Sequence, residues 1–197
     1  MPDREPTLTI ELPQPDWLRG WMARPAPSNN DDAQLLEVLA LAREHVERDG
    51  GGPFAAAVFR IDNGERLGAA VNTTIASHCA AAHAELQALS LAQQWIGSHT
   101  LEENPCVLVS SSAPCTMCLG AIAWSGVRRL VFATTRVDVE AIGFDEGPAT
   151  PSWRQELQSR GIEVRGPLLR ARGQAILRRY QERGGLVYNP QRPQQAR

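Results

Sequence analysis

Lysine is missing from this chain of 197 residues: all 20 of its basic side chains are arginine. That absence excludes a Schiff base on lysine and a phosphate-binding loop that depends on one. Long apolar runs are missing as well. The longest, such as Phe54-Ala55-Ala56-Ala57-Val58-Phe59, falls far short of the roughly 18 residues a membrane-spanning helix needs. Residues 1–30 hold no continuous apolar stretch behind a basic start, so no secretory leader is expected and the expected compartment is the cytoplasm. Net charge is scarce, at −2, and nothing global advertises nucleic acid or an anionic membrane. Only four cysteines occur, Cys79, Cys106, Cys115 and Cys118.

What is present concentrates in two short stretches. Ala82-His83-Ala84-Glu85 gives H-x-E, and Pro114-Cys115-Thr116-Met117-Cys118 gives P-C-x-x-C. One imidazole and two thiolates, His83, Cys115 and Cys118, suit the nitrogen and sulfur preference of zinc. Three protein ligands leave a fourth position for water, as catalytic sites do, whereas structural sites are closed by four. Cys115 and Cys118 are three apart, so at a helix start they share one face, and a helix N-terminus favours thiolate over thiol. Glu85, two residues from the histidine, is free to move protons. C-x-x-C alone is as much a redox pair or half of a structural zinc site; the H-x-E that precedes it turns the pattern toward catalysis. Cys79 and Cys106 are expected to be buried thiols.

The rest of the chain frames these motifs. Residues 1–30 form a proline-rich arm in which Pro2, Pro6, Pro13, Pro15, Pro25 and Pro27 break any helix. Thr7–Leu12 alternates and is expected to form a short edge or swapped strand. A first helix is expected over 31–48, capped by Asp31 or Asp32, with Leu35, Leu39, Ala42 and Val46 on one face and a structural His45 near it. Strands follow near 54–60 and 67–72 around an Asn63-Gly64 turn. A helix over 82–97 carries His83 and Glu85 in its first turn and buries Leu86, Leu89 and Leu91. A strand at 106–110 leads to a helix over 115–125. The next strand, 129–133, should lie parallel to it because a helix intervenes. Shorter elements near 137–142, 152–160 and 162–165 precede a helix over 167–183 that turns Leu169, Ile176 and Tyr180 inward. This order predicts a three-layer α/β/α sandwich around one mixed five-stranded sheet. Its zinc-binding domain spans 31–183, and a tail, 184–197, follows.

The chain resembles the cytidine deaminase superfamily, and within it the bacterial guanine deaminases that also accept the triazine ammeline. The two zinc motifs carry the superfamily resemblance. Pro53–Phe59, Asn72 and Val139–Pro148, with its Gly143-Phe144-Asp145-Glu146 stretch, carry the narrower one. The resemblance implies a zinc-dependent hydrolytic deamination of guanine to xanthine and ammonia, and a homodimer. It implies that Glu85 shuttles the proton and that Glu146 is a second acid at the amino-bearing edge. It further implies that Phe54 and Trp124 wall the flat ring, that Asn72 and the backbone of Ala84 bond its edge, and that Tyr188 and the tail close over the site. Two departures stand out: Pro-Phe-Ala in place of Pro-Phe-Gly, and no Asp-Pro-Thr before the histidine.

Two other functions fit parts of the pattern. A transfer-RNA adenosine deaminase would use the same motifs with a basic face, for which the arginines after 150 are the candidates. A non-catalytic zinc module would close the metal with a fourth ligand, Cys79 or His78.

Overall fold

The computed structural model describes residues 8–48, 50–148 and 151–189. Five strands form one sheet: β1 (Ala55–Arg60), β2 (Arg66–Val71), β3 (Cys106–Ser112), β4 (Arg129–Thr134) and β5 (Glu163–Arg165), in the order β2-β1-β3-β4-β5. β1 runs antiparallel to both β2 and β3, while β3, β4 and β5 are mutually parallel. β1 and β3 are central. β3 is buried along its whole length, and β1 at every residue except Arg60, so they read as continuous runs without alternation.

The two faces are covered by different helices. Ala55, Ala57, Phe59, Val109 and Val131 on one face pack with α2 (Asp31–Glu47) and α7 (Arg170–Glu182), through Leu35, Val38, Leu39, Ile176 and Tyr180. Ala56, Val58, Leu108, Leu130 and Phe132 on the other pack with α3 (Ala84–Ile96), α4 (Thr116–Ser125) and α6 (Trp153–Ser159), through Ala88, Leu89, Ile122 and Leu157. A sixth small helix, α5 (Arg136–Glu140), follows β4. The result is a three-layer sandwich around a mixed five-stranded sheet. α3 lies close on β2 because Gly68 allows it: a Cβ there would sit 2.9 Å from both the Ala88 carbonyl and the Ala92 amide.

Several local expectations need correction. The arm does contain a helix, α1 (Trp17–Met22), and its Leu18 and Trp21 enter the core with α2. Pro15 and Pro25 flank it and do not interrupt it. The buried Arg66 anchors this helix, donating to the carbonyls of Met22 and Arg24, pairing with Glu37 and stacking on Trp21. Thr7 lies outside the described residues; 8–12 form no strand, and Leu8 and Ile10 are exposed. α2 is capped by Asn30, whose side chain accepts from the Ala33 amide, not by Asp31 or Asp32. Leu91 faces solvent on α3 while Ala88 and Ala92 take the buried positions. Leu169 is only partly buried and precedes α7. Among the described residues, no helix is long and apolar enough to cross a membrane.

Candidate active site

The site forms at the carboxyl end of β3, where the strand turns polar. Ser110, Ser111 and Ser112 are all buried, and each has work there. Ser110 donates to Glu85 Oε1 at 3.2 Å, Ser111 Oγ accepts from the Ala55 amide, and Ser112 shares a 2.7 Å bond with Thr134. Crevices beyond the carboxyl ends of strands are where open α/β sheets place ligands.

His83 and Cys115 occupy equivalent positions. Each is the residue just before its helix, with extended backbone (φ −73°, ψ 149° and φ −69°, ψ 171°), and neither side chain caps its helix. Both were expected inside the first turn. One residue earlier, the side chains project across the helix N-termini, where two positive dipole ends meet. His83 Nδ1 lies 3.5 Å from Cys115 Sγ and 3.7 Å from Cys118 Sγ. A tetrahedral zinc with bonds of about 2.05 Å to nitrogen and about 2.3 Å to sulfur requires a nitrogen-to-sulfur edge of about 3.6 Å. The three groups therefore fit the ion. Among the described residues they form the one such cluster, and neither Cys79 nor His78 joins it.

The two thiols are pushed in opposite directions. A hydrogen bond from Cys118, helped by His83, pushes the Cys115 thiol down to about 4, and the same bond with burial pushes Cys118 well above its ordinary value. A divalent cation would displace the Cys118 proton.

Two carboxylates face the same cavity of about 150 Å3. Glu85, in the first turn of α3, is buried, and burial raises its pKa; its Oε2 lies 3.5 Å from Cys118 Sγ. Glu146 is pushed up to about 8, chiefly by burial and next by the charges of Cys115 and Glu85. Its loop is tied down from two sides. Thr116 reaches the Glu146 carbonyl with its amide and the Pro148 carbonyl with its hydroxyl, and Arg136 reaches the carbonyls of Gly147 and Pro148.

Of the other expected groups, Phe54, Asn72 and Tyr188 line the cavity. Asn72 Oδ1 accepts from the Thr74 amide, and its carbonyl accepts from Nε2 of the buried His45 at 2.9 Å. Ala84 does not line the cavity; it is the first residue of α3, where amides lack intrahelical partners. Trp124 is not at the site. It is 83% exposed, because α4 turns Cys118, Ile122 and Ser125 inward and Trp124 to the opposite side.

Phe144 takes the aromatic place, meeting Phe54 edge-on at 5.1 Å and Tyr188 at 5.2 Å. Its position two residues before Glu146 was the available signal. Thr74 and Asn189 also line the wall, with no signal in sequence. Asn189 binds the Gly143 carbonyl and the Asp145 amide. The buried hydroxyls of Thr74 and Tyr188 lie against each other on the cavity wall, and neither bonds any other described residue.

A family model described as the cytidine and deoxycytidylate deaminase zinc-binding region matches residues 28–134. Among curated relatives, the guanine deaminase of Bacillus subtilis (strain 168) is 33% identical over 117 residues, covering 59% of this chain and 72% of that protein. Among solved structures, the guanine deaminase from Nitrosomonas europaea matches with a TM-score of 0.85 at 42% identity, covering 91% of this chain and 100% of that one. A complex with 2,6-diaminopurine matches with a TM-score of 0.86 at 44% identity, over 92% and 97% of the two chains.

Proposed function

Because this chain belongs to the cytidine and deoxycytidylate deaminase family, we propose that it is a zinc-dependent guanine deaminase that hydrolyses guanine to xanthine and ammonia. The observation that carries this is the meeting of two buried carboxylates, Glu85 and Glu146, with His83 and Cys115 on one small cavity, where buried Cys118 completes the ligand cluster. About 150 Å3 is well below the roughly 300 Å3 at which drug-sized pockets begin. Such a cavity suits one flat heterocycle, with any ribose left outside. The Bacillus subtilis and Nitrosomonas europaea relatives are guanine deaminases, and the complex with 2,6-diaminopurine shows a purine in this fold. Ammeline, also a flat aminated ring, belongs to the same proposal.

His83, Cys115 and Cys118 would hold a zinc ion, which would supply the Lewis acidity that lets water lose a proton near neutral pH. Glu85 accepts the proton of the attacking water and delivers it to ring N3 as the bond from oxygen to C2 forms. Glu146, protonated at neutral pH, binds the amino-bearing edge. It gives its proton to the amino nitrogen, which leaves with the electrons of the C2–N bond as ammonia, and it takes back the proton of the new C2 hydroxyl, leaving the C2 carbonyl of xanthine. Phe54 and Phe144 wall the ring, and Asn72, the Ala84 amide and the hydroxyls of Thr74 and Tyr188 bond its edge. The tail from residue 184 acts as a lid through Tyr188 and Asn189.

A homodimer and a cytoplasmic location go with this assignment; the exposed Trp124 is apolar surface of the kind a second copy covers, and sedimentation velocity tests it. Against the RNA alternative, Arg170, Arg179 and Arg183 are engaged by Asp138 and Glu47.

Ammonia release over guanine, guanosine, ammeline, adenine, cytosine, cytidine and an RNA hairpin tests the assignment. Guanine or ammeline is expected to turn over, with activity lost in Glu85→Ala and lowered about 10²-fold or more in Glu146→Gln. Release from the hairpin with guanine untouched would replace guanine by adenosine in RNA.

A further inference from the structure

A pair of amides, half-buried Gln14 and buried Gln87, links the N-terminal arm to the metal side of the site. Gln87 lies on α3, one turn after His83, and is 4% exposed. Its Nε2 is 2.8 Å from the Ala82 carbonyl, 3.2 Å from the Val71 carbonyl and 3.2 Å from Thr73 Oγ1. Its Oε1 accepts from Gln14 Nε2 at 2.7 Å. Gln14 also clasps the end of β2, accepting from the Val71 amide at 2.8 Å. Two of these partners are carbonyls that can only accept, so the orientation of the Gln87 amide is fixed.

These bonds join the two segments whose spacing the chemistry needs. Ala82 immediately precedes His83, and Thr73 lies between Asn72 and Thr74 on the cavity wall. The Ala82 carbonyl also takes the Thr73 amide at 3.1 Å, so a single acceptor ties both segments, and Gln87 holds both.

We propose that Gln14 and Gln87 are positioning residues. Acting as one relay, they fix the distance between the metal ligand His83 and the base-binding segment 72–74. The arm is thereby part of the support of the active site. Neither glutamine touches the cation or the substrate. Their effect passes through the Ala82 carbonyl and Thr73, as outer partners of metal ligands act through the groups they orient.

The test uses the full chain loaded with zinc, as wild type, Gln14→Ala, Gln87→Met and the double variant. Two quantities are read: the rate at which zinc passes to an excess of a chromogenic chelator, and kcat and KM for guanine. Only the second rests on the proposed activity. Each single variant is expected to release zinc about tenfold faster and to raise KM with kcat changed less than about twofold. The double variant should release zinc no faster than Gln87→Met alone, since two members of one relay are not additive. If Gln87→Met does not fold, Gln14→Glu takes its place: it keeps the acceptor for Val71 but lacks the donor for Gln87, and should match Gln14→Ala. A folded Gln14→Ala that releases zinc at the wild-type rate overturns the proposal, as does strict additivity in the double variant. Faster release without any guanine turnover would uphold the relay and reject the substrate.

Discussion

Glu146 holds its proton up to about 8 because it is buried beside other negative groups. An unfolded glutamate releases it near 4.3. The stability that comes from keeping the proton is therefore complete below about 4.3 and is lost as pH rises toward 8. Glu146→Gln cannot titrate, so chelator-stripped variant and wild type should melt alike near pH 4, and the variant should melt higher at pH 8 and above, by a few degrees. Identical melting curves across that range would show that the carboxyl is not held protonated. His45 carries the opposite sign: burial lowers its pKa, and the folded chain keeps it neutral with Nε2 on the Asn72 carbonyl. Its contribution is present above about 6.5 and lost as pH falls through the depressed folded value. His45→Gln, which keeps a donor toward Asn72, should flatten the fall in melting temperature between pH 6.5 and 5 in calorimetry. At this scale the metal ligands were legible because a cation demands particular donors at short spacing. Trp124 was misplaced and Phe144 overlooked because composition does not reveal which aromatic side chains face a cavity.

α3 and α4 set the site by where they start. The residues before them, His83 and Cys115, have extended backbone, and a displaced helix would carry its ligand away. Gly68→Ala tests this at β2, since the added Cβ would strike backbone atoms of α3 that cannot rotate aside. It is expected to cost about 1–3 kcal/mol of stability and to speed zinc loss; wild-type stability and zinc retention would show that α3 has slack. The central strands and the parallel β3–β4 pair were readable from apolar runs separated by a helix. Element ends were less so. Asn30 and Asp31 are nearly equal as caps, and the prolines of the arm mark the limits of α1 as easily as they exclude it. The split of α3 between buried Ala88 and Ala92 and exposed Leu91 follows from its close seat on Gly68, which only the fold reveals.

Across the whole molecule, positive charge is arginine alone and much of it is spent internally. Arg129 and Arg165 engage Asp31 and Glu163, Arg170 engages Asp138, and Arg179 and Arg183 engage Glu47. That pairing and a cavity sized for one heterocycle support the proposed small-molecule substrate over a nucleic acid. The most direct measurement is mass-spectrometric analysis of the products from guanine in ¹⁸O-labelled water, with the chain stripped of metal and then reloaded with zinc. The account predicts one xanthine bearing one solvent oxygen, and one ammonia, for each guanine consumed, only after zinc is restored. Equal turnover by the stripped chain, or xanthine without solvent oxygen, would contradict it.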